Sequence, residues 1–145
     1  MAGTTKTANV SWSGGLMDGE GTITSVGSGA ISNMGVTWKN RAETEQGTSP
    51  EELIAAANAA CFAMALSAGL AQAGHAPEKL DVTAKATFSL DGGPKISTIA
   101  LHVVGTVPGM SAEQFKQAAE GAGVNCPVSS AMKGNVEYTV TAELA

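Results

Sequence analysis

A chain of 145 residues with 43% hydrophobic and 14% charged side chains is long enough for one core and too apolar for extended disorder, so it reads as a single domain over 1–145. Its formal charge of −5, with no block of Lys or Arg, argues against nucleic acid and anionic membranes as partners. Two cysteines and two histidines lack the spacing of a four-ligand zinc site.

Residues 1–13 contain no apolar stretch of the secretory-signal kind, and the expected location is the cytoplasm, where a pair of cysteines is more often chemical than structural. Residues 8–13 alternate, with Val10 and Trp12 on one face, and predict a strand. Gly14-Gly15 turns the chain into a second strand over 21–26. A third strand is predicted from Gly35 through Trp38 to about Lys39 or Arg41. Next comes Ser49-Pro50-Glu51-Glu52: Ser49 caps, Pro50 suits the first turn and Glu52 completes a capping box. The helix runs from Leu53 to about Ala73, with Gly74 as its stop and Pro77 beyond. Its apolar run is mostly alanine, interrupted by Asn58, Ser67 and Gln72. Alanine gives little drive for bilayer insertion, so the helix is expected to be the core helix of a soluble protein. Because it lacks a polar face it should be buried on every side, and a second subunit is the economical cover. Phe62, Met64 and Val128 read as core packing.

Strands are then predicted over 79–90 and 95–107, joined by Asp91-Gly92-Gly93-Pro94, with Val82, Ala84, Ala86 and Phe88 on one side. Ser111-Ala112-Glu113-Gln114 is a second capping box opening a helix to about Gly121. A short helical turn follows Cys126-Pro127, and 135–144 ends the chain as a strand. The class is α+β, with antiparallel sheets and segregated helices around a long buried central helix.

Taken singly, Cys61 and Cys126 read as small buried hydrophobes, and a structural disulfide fits poorly with a cytoplasmic chain. Three features change that balance. Arg41 is the one arginine, a planar and permanently charged fork among lysines. Glu51 stands in a first helical turn, where its charge also suits the dipole. Cys126 before Pro127 would set a sulfur near free backbone N–H groups, which favour thiolate. Together they supply a thiolate, a cation to stabilise it and a carboxylate to orient that cation. Glu51 and Cys61 stand ten positions apart, about 15 Å along one helix axis. An antiparallel copy of the helix about a twofold axis could bring Glu51 of one chain near Cys61 of the other. That predicts an interfacial site, two per dimer.

Three segments carry a resemblance: Gly47-Thr48-Ser49-Pro50-Glu51-Glu52-Leu53-Ile54, Ala59-Ala60-Cys61-Phe62-Ala63-Met64-Ala65-Leu66 and Val124-Asn125-Cys126-Pro127-Val128-Ser129. With them, and with Val107-Pro108-Gly109, essentially the whole chain resembles the OsmC/Ohr family of osmotically inducible and organic-hydroperoxide-resistance proteins. Ohr proteins carry the active-site arginine near the N-terminus, where this chain has Met17, Asp18 and Glu20. Arg41, twenty positions before Cys61, matches the OsmC branch.

The resemblance implies an OsmC/Ohr-like fold in an intertwined homodimer. The implied activity is a thiol-dependent peroxidase that reduces organic hydroperoxides, and hydrogen peroxide more weakly, to alcohols. Cys61 would be the peroxidatic thiol, Cys126 the resolving thiol, and Arg41 with Glu51 the charged pair. The reductant would be a dithiol, possibly of lipoyl type, with no metal or organic cofactor. A tension remains: the helix start favours Cys126 as the more acidic sulfur, whereas the family pattern assigns attack to Cys61. Two other readings stand beside this one. A Cys/His hydrolase would use His75 or His102, neither of which a motif places beside a cysteine. A non-enzymatic redox sensor or carrier of a lipid-like ligand would use the same cysteine pair without turnover.

Overall fold

The alternation at Val10 and Trp12 forms β1 (Ala8–Ser13), which pairs antiparallel with β2 (Glu20–Val26), and β2 in turn with β3 (Ser32–Val36). This computed structural model describes residues 3–43 and 46–145. They fall into two compact units, Met1–Pro50 and Glu51–Ala145.

In the first unit the three strands form a meander in the order β1-β2-β3. The predicted third strand lies too far along the chain. The strand ends at Val36, and residues Trp38–Ala42 form a short helix, α1. The cause is a cap: Thr37 is extended, and its hydroxyl accepts the Asn40 N–H at 3.1 Å. That bond satisfies one of the free donors of a helical first turn and outweighs the strand-like spacing of Val36 and Trp38.

The second unit opens on α2 (Pro50–Gln72). The helix closes as expected at Gly74, whose φ of 85° is left-handed. The His75 N–H reaches the Leu70 carbonyl at 2.8 Å and the Gly74 N–H reaches Ala71 at 3.0 Å, the paired bonds of a Schellman stop. A hairpin follows, β4 (Lys79–Ser89) against β5 (Lys95–Thr106). Then come α3 (Ala112–Asn125), whose Ser111–Gln114 capping box forms in both directions, α4 (Pro127–Met132) and β6 (Glu137–Leu144).

The sheet order is β4-β5-β6, and β6 runs parallel to β5. The expectation of purely antiparallel sheets is therefore corrected: the first sheet is antiparallel and the second is mixed. Both helices α3 and α4 lie between β5 and β6, and a connection of that length is a crossover, which returns the chain in the same direction.

The core of this unit joins Phe62, Leu66 and Leu70 of α2, Ile99, Leu101 and Val103 of β5, and Phe115 and Ala119 of α3. Gly105 is required there, because a Cβ would stand 2.4 Å from the ring of Phe115. Only one stripe of α2 is buried, namely Glu51, Asn58, Phe62, Leu66 and Leu70. Ala56, Ala60, Met64 and Ala68, at four-residue spacing, are exposed. Met64 is 74% exposed, so its expected packing role is not met within one chain. Among the described residues α2 is also the one helix long and apolar enough to cross a membrane by length and composition.

Candidate active site

Cys61 lies near the middle of α2, one turn after Asn58, and is partly exposed. Cys126 is the residue at which the chain passes from α3 to α4. It caps the C-terminus of the first and the N-terminus of the second, with φ −57° and ψ 127°, and Pro127 opens α4. Its N–H reaches Ala122 at 2.9 Å and its carbonyl accepts from Ser130 at 2.9 Å. The break between helices thus leaves no backbone group of Cys126 unpaired. Pro127 has no N–H to give, so the next amides, those of Val128 and Ser129, are the free donors of the first turn. Both lie near the Cys126 sulfur and act to lower its thiol, as Val128 does at Cys61. The two thiols stand close enough to shift each other's acidity.

A polar group surrounds this pair on its buried side. Asn58 is completely buried, and its Nδ2 donates to Cys126 Sγ at 3.7 Å and to Ser129 Oγ at 3.1 Å. Its Oδ1 meets no donor among the described residues, at a cost of about 1–3 kcal/mol for a buried unsatisfied carbonyl. From β6, the Tyr138 hydroxyl donates to Met132 Sδ at 3.9 Å and lies near enough to Ser129 and Cys126 for both to bear on its acidity. A cleft of about 210 Å³ opens beside Ser129, walled by Gly123, Val124, Lys133, Val136 and Tyr138.

The two sulfurs are driven apart in acidity. Burial pushes the Cys61 thiol above its ordinary 9.0, and donation to Cys126 and the charge there push the same way against the Val128 N–H. Burial also acts to raise Cys126. There it is outweighed by the hydrogen bond from Cys61, the N–H and hydroxyl of Ser129 and the N–H of Val128, so Cys126 ends below 9.0. Hydrogen bonds to the charged form are what favour it. Burial raises Tyr138 as well, and the neighbouring Cys126 charge adds to that.

Of the four sequence candidates, Cys61 and Cys126 are brought into contact. Glu51 is 5% exposed in the first turn of α2, beside the exposed Glu52, and stands ten positions before Cys61 on the same helix. Arg41 lies on α1 of the first unit. The histidines of the hydrolase reading bond elsewhere: His75 Nδ1 faces the Pro108 carbonyl at 3.3 Å and His102 Nδ1 faces Thr141 Oγ1 at 2.7 Å. Among the described residues no three of His, Cys, Asp and Glu converge as a metal site. Asn58, Ser129 and Tyr138 were missed as site residues. The available signal was Asn58 itself, a carboxamide three positions before Cys61 in a run of alanines. Two adjacent thiols of unequal acidity, one of them reachable, can form a disulfide and exchange it with other thiols.

The chain matches the family profile described as "OsmC-like protein" over residues 43–141, a span that holds Glu51, Cys61 and Cys126 and begins just after Arg41. It is 40% identical over 132 residues to the protein named Peroxiredoxin OsmC of Escherichia coli (strain K12), covering 90% of this chain and 92% of that one. It is 33% identical over 99 residues to an organic hydroperoxide resistance protein of Xanthomonas axonopodis pv. citri (strain 306), 66% of either chain. Among solved structures, an organic hydroperoxide resistance protein from Elizabethkingia anophelis is similar at a TM-score of 0.74 and 27% identity, covering 98% of this chain and 99% of that one.

Proposed function

The chain belongs to the OsmC-like family, and from that membership and the paired thiols we propose a thiol-dependent peroxidase that reduces organic hydroperoxides to alcohols. The observation that carries the reading is the closeness of Cys61 and Cys126, near enough to shift each other's acidity.

Attack falls to Cys61 because it is the sulfur a peroxide can reach; Cys126 is completely buried. Two thiols this close titrate as a unit. Transfer of one proton between them, from Cys61 to Cys126, gives the reachable sulfur its negative charge. The Cys61 thiolate attacks the distal oxygen, the O–O bond breaks, and the departing alkoxide takes a proton and leaves as the alcohol. Cys61 becomes a sulfenic acid, and Cys126 captures it as a disulfide before further oxidation. A dithiol, of lipoyl type in this reading, then reduces the disulfide by exchange.

Arg41 takes the part of the planar cation that stabilises the Cys61 thiolate and the leaving oxygen, with Glu51 as the carboxylate that orients it. The active form in this reading is a homodimer. Supporting that part is the exposed Ala56-Ala60-Met64-Ala68 face of α2, a small-residue surface that admits close approach by a second helix. The proposed location is the cytoplasm, where thiols are kept reduced between cycles.

Incubation with cumene hydroperoxide and excess dithiol tests the activity. Steady peroxide loss is expected, whereas a single stoichiometric oxidation per chain would leave a sensor and remove the enzyme. Sedimentation of the active protein tests the dimer, and a folded, active monomer overturns that part alone.

A further inference from the structure

The buried stripe of α2 is apolar at Phe62, Leu66 and Leu70, yet at Asn58, one turn before Cys61, it carries a carboxamide. A leucine there would fill much the same space without a polar group to desolvate. The carbonyl end of Asn58 finds no donor among the described residues, so the group gains nothing for the fold on that side. Its nitrogen end is fully used, with one N–H to the Cys126 sulfur and one to the Ser129 hydroxyl. Ser129 is itself buried and also acts to lower the Cys126 thiol. A donor pair held rigidly by a helix therefore faces the sulfur of another element, on the same helix and one turn from its reaction partner.

Resting on the peroxidase reading, we infer that Asn58 is the positioning residue of the resolving step, its carboxamide N–H holding the Cys126 sulfur as a thiolate against the Cys61 turn of α2.

The chemistry needs that charge twice. In resolution the Cys126 thiolate attacks the sulfur of Cys61 sulfenic acid; the S–S bond forms, the S–O bond breaks, and hydroxide leaves and is protonated to water. In reduction a dithiol attacks as its thiolate on Cys61, the more exposed sulfur, and Cys126 departs as a thiolate. The second thiol of the reductant then displaces Cys61, which leaves reduced while the reductant closes to its own disulfide. The more acidic the departing thiol, the faster its thiolate leaves, and a donor that favours the charged form serves both steps. Among the described residues, Cys61 from α2 and Tyr138 from β6 are titratable side chains that set or feel the Cys126 charge.

The test titrates Cys126 alone. In Cys61→Ser protein, where a hydroxyl replaces the neighbouring thiol, ultraviolet absorbance of the thiolate is followed across pH with Asn58 in place and with Asn58→Leu or Asn58→Ala. The midpoint is expected to rise by about one pH unit or more in both variants, which lose the donor and add no charge. Asn58→Ala carries the test if Asn58→Leu does not fold. The side-chain amide resonance of Asn58 in nitrogen-labelled Cys61→Ser protein gives a reading that needs no substitution at Asn58, and it should shift with the same midpoint. In protein with both cysteines, a peroxide pulse should raise the ratio of Cys61 sulfinic acid to disulfide several-fold in the Asn58 variants, as read by intact mass. An unmoved midpoint, an amide resonance blind to the titration, or an unchanged product ratio each overturns the inference. Failure of the unsubstituted protein to turn over peroxide would instead remove the peroxidase reading, and the titration would still report on Asn58 by itself.

Discussion

The middle of α2 and the junction of α3 with α4 each present one sulfur, and their surroundings are opposite. Cys61 sits partly exposed on a continuous helix whose backbone amides are engaged in their own turns, and its thiol is pushed up. Cys126 sits sealed at a helix break, where amides left free by Pro127 converge on it, and its thiol is pulled down. Access and acidity, which a one-cysteine site must combine in a single atom, are here divided between two atoms. Burial alone raises both thiols; at Cys126 the Cys61 thiol, the Ser129 hydroxyl and the amides of the helix start together reverse it.

Substitutions at the two sulfurs test that division most severely. Cys61→Ser should abolish peroxide turnover in the dithiol assay, since the remaining sulfur is acidic but sealed; retained turnover would mean that acidity governs the first step. Cys126→Ser should allow one rapid oxidation of Cys61 and then stall. Its product should be sulfinic acid rather than disulfide, detectable as added oxygen by intact mass, and continued cycling at the unsubstituted rate would show that a second thiol is not required. A smaller effect is expected at Arg41→Lys, which keeps the charge and loses the planar fork. The turnover rate should fall by about tenfold to a hundredfold, and an unchanged rate would remove Arg41 from the chemistry and leave the acidity of the pair to the helix start.

The same division explains what was legible in the sequence. Both ends of α2, the Ser111–Gln114 box and the helix start at Pro127 are written in local side-chain and backbone chemistry, and each formed where it was expected. Thr37 was equally local, but the alternation of Val36 with Trp38 masked it as a strand. The parallel pairing of β6 follows from how α3 and α4 are packed between β5 and β6 and is not encoded in any one segment. Cys61 and Cys126 were legible as candidates from Arg41, Glu51 and the Cys126-Pro127 helix start, and their separate roles only because their flanking residues match a family. Their contact depends on long-range packing. Asn58 was visible as a polar interruption, but its purpose required knowing that Ser129 and Cys126 lie across from it.

The smallest expected effect is on stability rather than rate, and its sign separates the two sulfurs without any peroxide. Stability rises with pH wherever the unfolded chain holds more protons than the folded one. Cys126 is lowered in the folded protein, so between its folded value and the ordinary 9.0 the unfolded chain holds the extra proton and stability rises with pH. Cys61 is raised, so above 9.0 the folded protein holds the extra proton and stability falls again. The pair therefore contributes a maximum near 9.0, before the raised Tyr138 adds its own fall above its ordinary 10.0. Denaturant unfolding of the reduced protein across this range should show the rise vanish in Cys126→Ser. A reduced fall should survive in that variant, because burial is the largest cause of the Cys61 shift. In Cys61→Ser the fall near 9.0 should vanish while a rise persists, since the amides of Val128 and Ser129 still face Cys126. Superimposable curves for the three proteins would mean that the two thiols titrate alike, and the contrast between helix middle and helix start would not extend to the sulfurs.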